Sequence, residues 1–148
     1  MKTKIISEIE ISYKPKRANH PVVKSSNDAY NYLVQFYLEE TIALVEQFSV
    51  AFLNRANKII GVQVVSKGGI TGTIADPRLI MATALKAAAT GIILCHNHPS
   101  GNLQASTADI EITKKIQSAC NFLDIKLLDH IIISPTGTYL SFTDEGLL

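Results

Sequence analysis

The chain has 148 residues, 47% of them hydrophobic and 18% charged, with a formal net charge of +1. That is enough apolar material for one ordinary core and too little charge for a disordered chain, and it leaves no broad electrostatic footprint for nucleic acid. No apolar run approaches the ~20 residues that cross a bilayer, and the start before Glu8 is too short for a signal peptide.

Two cysteines without a CxxC pair, Cys95 and Cys120, give neither a disulfide framework nor a thiolate zinc site. A cytoplasmic location fits this usage.

Alternating Ile9, Ile11 and Tyr13 predict a strand over Ile5 to Tyr13. Residues 14–24 form a connector whose Lys14-Pro15-Lys16-Arg17 cluster reads as a solvated loop rather than a phosphate contact. Ser25 to Asp28 then offers several N-caps. Tyr30, Leu33, Val34, Tyr37, Leu38, Ile42 and Val45 follow at helical spacing and predict an amphipathic helix of about 18 residues.

From Gln47 the period changes. Gln47 to Leu53 and Lys58 to Ser66 read as a hairpin about Asn54 to Asn57, and Ile70 to Ile74 as an extension of the sheet. Asp76 caps a helix with Pro77 at its first position, running to about Ala89 and ended by Gly91. Ile92 to Cys95 is a buried strand. A helix from Ser106 presents Ile112, Ile116, Ala119, Cys120 and Leu123 on one stripe. Ile125 to Ser134 and Thr138 to Phe142 are strands joined by the turn Pro135-Thr136-Gly137. This order predicts a single-domain α/β (α+β) fold over residues 1–148, a mixed β-sheet flanked by helices.

Chemistry concentrates at the end of the Ile92 strand. His96 and His98 are one residue apart, so their imidazoles point to one side of the strand, with Cys95 and Asn97 on the other. Ser106 and Asp109 have the S-x-x-D spacing of a helix start. Taken singly, the histidines could be ordinary surface residues and the Ser/Asp pair a capping box. Together they place three N/O donors near one point, and three such ligands with an open fourth position suit catalytic zinc. A zinc deaminase would need H-x-E and P-C-x-x-C, and neither is present.

His96, His98, Ser106 and Asp109 resemble the JAMM (MPN+) metalloprotease motif at every defined position but one, with Asn97 where the wider motif has Ser or Thr. His96 to Gly101, HNHPSG, is the wording of the RadC-like JAB branch. Asp76-Pro77-Arg78 before the Ala-rich helix, LDIKLLDHIIIS at 123–134 and SFTDEGLL at 141–148 resemble that branch in the same order. The resemblance covers about Glu46 to Leu148, and residues 1–45 only loosely. Ala105 stands where the branch usually has Pro.

The resemblance implies a JAMM/MPN-type fold and Zn²⁺ held by His96, His98 and Asp109. It also implies a hydroxyl from Ser106 that binds the oxyanion or orients water, and a glutamate base upstream of the histidines. Glu46 matches that position, where helix gives way to strand; Glu39 and Glu40 sit inside the predicted helix. Such a site would cleave a peptide or isopeptide bond in a substrate that the sequence does not specify. Asp129-His130 resembles the family's Asp-His pair, with His130 expected to be hydrogen-bonded in the core.

The rival reading is a RadC-like protein acting on or near DNA, in repair or on a mobile element, through binding rather than proteolysis. Full-length members of the branch usually carry a helix-hairpin-helix segment. The 148 residues leave no room for one, and they show no clustered basic surface. A scaffold that has lost its metal is disfavoured because every metal and catalytic position is filled.

Overall fold

A computed structural model describes residues 6–68 and 74–148. Five strands form one mixed sheet: β1 (Gln47–Leu53), β2 (Ile59–Lys67), β3 (Gly91–Asn97), β4 (Lys126–Ile133) and β5 (Tyr139–Ser141). They lie in the order β2-β1-β3-β4-β5. Among the described residues, β3 and β4 pair in parallel and the other neighbouring strands are antiparallel. The predicted hairpin, motif strand and two closing strands are all present within a residue or two.

The sheet has helices on both sides. α1 (Ser26–Leu33) packs Ala29 and Leu33 against Ala51, Leu53, Ile93, Cys95, Ile131 and Ile133. α2 (Pro77–Lys86) and α3 (Thr107–Phe122) cover the opposite face, where Ile80, Ala84, Ile116 and Cys120 meet Phe48, Val50, Phe52, Ile92 and Leu94. Every residue of β1 and β3 is buried, which is why both read as near-continuous apolar runs. Each fully buried Ile, Leu or Phe there stabilises the fold by about 1.5–3 kcal/mol. Alternation along β3 sends Ile92 and Leu94 to the α2/α3 side and Ile93 and Cys95 to the α1 side. His96 therefore emerges beside α3, and Asn97 on the other face.

Three predicted elements are corrected. Ile6 to Tyr13 is not a strand: Ile6, Ile9 and Ile11 are 80–88% exposed, and the alternating pattern has no partner strand within the described chain. The long helix stops at Leu33, with a 3₁₀ turn at Val34–Phe36. Tyr37 turns extended (φ −111°, ψ 121°) so that its hydroxyl can donate inside the core to the Cys95 carbonyl, 2.9 Å away. Tertiary hydrogen bonds there override a good helical pattern. Glu39 and Glu40 thus lie in an exposed turn rather than a helix.

Third, α2 ends at Lys86 because Ala88 adopts the left-handed region (φ 51°) and Ala89 donates to the Ala84 carbonyl, a Schellman closure formed without glycine. Asp124 (φ 55°) closes α3 in the same way, with Ile125 donating to Cys120. Most of the expected strand from Ile70 to Ile74 lies outside the described residues. Among the described residues, no helix is long and apolar enough to cross a membrane.

Candidate metal centre

The site is built where β3 runs out. The His98 amide still donates to the Ile133 carbonyl at 2.9 Å, extending the β3–β4 ladder by one step. The chain then reverses at Gly101, whose φ of 82° is costly for a side chain and whose amide donates back to His98. This turn brings the Asn102 carbonyl onto Nδ1 of His98. A carbonyl can only accept, so His98 carries its proton on Nδ1 and aims Nε2 into the site.

Ser106 caps α3 and forms a complete capping box with Asp109. The Ser106 side chain accepts from the Asp109 amide at 3.0 Å, and Asp109 Oδ2 accepts from the Ser106 amide at 2.8 Å. The box does not exhaust the carboxylate. Oδ1 lies 3.1 Å from His96 Nε2 and Oδ2 lies 3.1 Å from His98 Nε2, while the two Nε2 atoms are 3.0 Å apart. Capping and convergence are therefore compatible.

Glu46 reaches the same place from β1. Phe48 lies opposite His96 in the antiparallel register, and continuing that register puts Glu46 across from His98. Donor atoms of Glu46, His96 and His98 all fall within 4.8 Å of one another, so this His-His-Glu cluster could hold a metal ion. A cavity of about 170 Å³ opens beside it, walled by Phe48, Ile74, Ala75, Ala108 and Ile112, with Glu46, His96 and Asp109 on its polar side.

Charge follows from this packing. Burial acts to raise the Asp109 carboxyl, but the His96 and His98 imidazoles facing it outweigh this and hold the group far below the usual carboxylate range. In return, the facing Asp109 carboxylate raises the His98 imidazole against the opposing effect of burial. His130 lies behind His96, with its Nε2 2.8 Å from His96 Nδ1. Burial, and then the neighbouring His96, push it well below the ordinary histidine value, so it stays neutral.

The residues fit a cation. Three groups turn lone pairs toward one point at 3.0–3.1 Å spacing. Donor atoms at zinc–ligand distances of about 2.0–2.1 Å in a tetrahedron would stand roughly 3.3 Å apart.

The RadC-like JAB domain profile matches residues 23–147. The chain belongs to the RadC-like JAB domain family. A UPF0758 protein of Flavobacterium johnsoniae is 57% identical over 102 residues, covering 69% of this chain and 44% of the relative. One from Porphyromonas gingivalis is 48% identical over 103 residues, 70% of this chain and 45% of its own length. A third, from Alkaliphilus metalliredigens, is 34% identical over 149 residues, 99% of this chain and 62% of its own length. This RadC-like JAB domain thus spans about half the length of the first two of these curated relatives.

Glu46, His96, His98 and Asp109 of this RadC-like JAB domain come together at the end of β3, with Ser106 joined to Asp109 through the capping box, whereas Glu39 and Glu40 lie in an exposed turn. Two further residues support the site, Asn97 and Thr113. Strand alternation turns Asn97 away from the histidines and predicts no chemistry for it. It is fully buried on the α1 side, accepting from the Gln47 amide at 2.7 Å and donating to the Ile42 and Val45 carbonyls at 2.7 and 2.9 Å. It thereby clamps both flanks of Glu46. Asn97→Ala is expected to strand those three groups and lower stability by about 2–4 kcal/mol, read as a shifted midpoint in urea unfolding at unchanged slope. Thr113 lies four residues after Asp109 on the same face of α3, and that spacing is its signal in the sequence.

Proposed function

We propose that this RadC-like JAB domain holds one zinc ion on His96, His98 and Asp109 and hydrolyses an amide bond, in a peptide or an isopeptide. The reading is carried by the convergence of two imidazole Nε2 atoms and one carboxylate at 3.0–3.1 Å. Two nitrogens and one oxygen with an open fourth position are the donor set of catalytic zinc. Bound there, the metal would polarise the scissile carbonyl and make a coordinated water acidic near neutral pH.

The protein's own residues do the rest. Glu46, across from His98, takes the proton from the attacking water and returns it to the leaving amine. Ser106 Oγ accepts from the Asp109 amide, which leaves the hydroxyl proton to donate to the developing oxyanion or to orient water. Asp109, fixed by the capping box, keeps its carboxylate from turning away. The apolar wall of Phe48, Ala75 and Ile112 limits competing water beside the reacting carbonyl.

The first test is metal content of protein purified without added zinc, measured by elemental mass spectrometry on the native chain and on His98→Ala. The native chain is expected to carry one zinc per molecule and the variant none. A native chain that takes up no metal even after zinc is supplied would overturn the reading.

A further inference from the structure

We propose that Thr113 and His130 form a one-directional hydrogen-bond relay that fixes a proton on Nδ1 of His96 and so reserves its Nε2 for the metal. The role of the relay rests on the zinc reading above; its direction does not.

The direction follows from a backbone carbonyl. Thr113 Oγ1 lies 2.6 Å from the carbonyl oxygen of Asp109, one turn back along α3. A carbonyl can only accept, so the single hydroxyl proton of Thr113 is committed to it. Thr113 Oγ1 also lies 2.6 Å from His130 Nδ1. With its proton already used, the hydroxyl must accept there, and His130 Nδ1 must be an N–H.

The other nitrogen of His130, Nε2, faces His96 Nδ1 at 2.8 Å. His130 is fully buried, with Phe142 stacked on it at 4.6 Å and Phe48 presenting an edge at 5.6 Å. A neutral imidazole whose proton sits on Nδ1 keeps a lone pair on Nε2. Nε2 therefore offers a lone pair, and the proton between the two rings belongs to His96 Nδ1.

The relay closes on itself. It begins at His96, whose Nε2 meets the Asp109 carboxylate at 3.1 Å, and it ends on the main-chain carbonyl of that same aspartate. One residue on the first turn of α3 thus anchors both sides of the His96 ring. His98, on the turn after the strand, is oriented directly by the Asn102 carbonyl. His96, inside the strand and 2% exposed, is oriented through two intervening side chains. Metal-bound imidazoles commonly need such a partner to fix tautomer and ring angle. His130 and Thr113 are positioning residues, and neither touches the open side of the cluster.

Long-range ¹H–¹⁵N correlation spectra of the metal-free native protein read the tautomers directly. The expected pattern is a protonated Nδ1 on both His96 and His130, with an unprotonated Nε2 on His130. Thr113→Val keeps the shape of the side chain and removes the acceptor. His130 is then expected to move its proton to Nε2 and donate to His96, transferring the His96 proton to the metal-facing nitrogen. Zinc affinity, measured by competition with a chromophoric chelator, should fall about 10–100-fold. Thr113→Ser should restore both the tautomer pattern and the affinity.

A proton on His130 Nε2 in the native protein would overturn the relay whatever the metal result. So would a folded Thr113→Val variant with native affinity and unchanged tautomers. A native chain that shows the expected tautomers but binds no zinc would sink the metal reading and leave the relay standing.

Discussion

Glu46→Gln is expected to retain its zinc and to lose amide hydrolysis by about a hundred- to ten-thousandfold, the usual contribution of a positioned general base. Glutamine has nearly the size of glutamate and keeps a hydrogen-bonding oxygen, but its amide cannot take a proton from water near neutral pH. A base acts on the water, whereas a ligand holds the metal, so the two roles part on metal content. His96, His98 and Asp109 approach one another to 3.0–3.1 Å, and Glu46 shares with the two histidines a cluster whose donor atoms all lie within 4.8 Å. Turnover on a fluorogenic peptide and zinc content should be measured on one preparation. If Glu46→Gln loses the metal, Glu46 is a ligand and the His-His-Glu set is the true site. If the variant turns over at the native rate, the base is another residue.

Most of the fold and the convergence at its centre could be read from the chain because β1, β3 and β4 are long apolar runs and because caps and turns leave local signatures. Asp76-Pro77 and Ser106-x-x-Asp109 each fix a helix start with atoms only a few residues apart. The misread parts depend on partners far away in sequence. Tyr37, Leu38, Ile42 and Val45 have helical spacing, yet the Tyr37 hydroxyl is drawn to Ser49 and Cys95, and the Ile42 and Val45 carbonyls to Asn97. Local propensity worth a few tenths of a kcal/mol per residue yields to several buried hydrogen bonds of about 1 kcal/mol each.

Ile9, Ile11 and Tyr13 illustrate the reverse case, a strand pattern without a strand to pair with. The helix ends at Ala88 and Asp124 carry no local signature because non-glycine residues supply the left-handed position. Within the site, side-chain alternation sorted Asn97 from the histidines correctly, but no local rule shows what a buried amide on the far face is holding.

Asp109→Asn is expected to give the opposite pattern to Glu46→Gln, with zinc affinity reduced more than about a hundredfold and activity lost with it. Removing a ligand should exceed the roughly 10–100-fold cost of disturbing a group behind one. Asparagine keeps an oxygen able to accept from the Ser106 amide, so the cap on α3 and the fold should survive. What disappears is the negative charge between two imidazoles that both point Nε2 at it.

Thermal unfolding supplies a readout independent of catalysis. Zinc at a thousandfold excess over its Kd should stabilise the native chain by about 4 kcal/mol, worth roughly 10 °C in Tm for a domain of this size. Asp109→Asn should unfold near the metal-free temperature with or without zinc, while Glu46→Gln should keep the full shift. If zinc raised the Tm of Asp109→Asn as far as it raises the native one, Asp109 would be a helix cap and nothing more, and Glu46 would take its place as the third ligand.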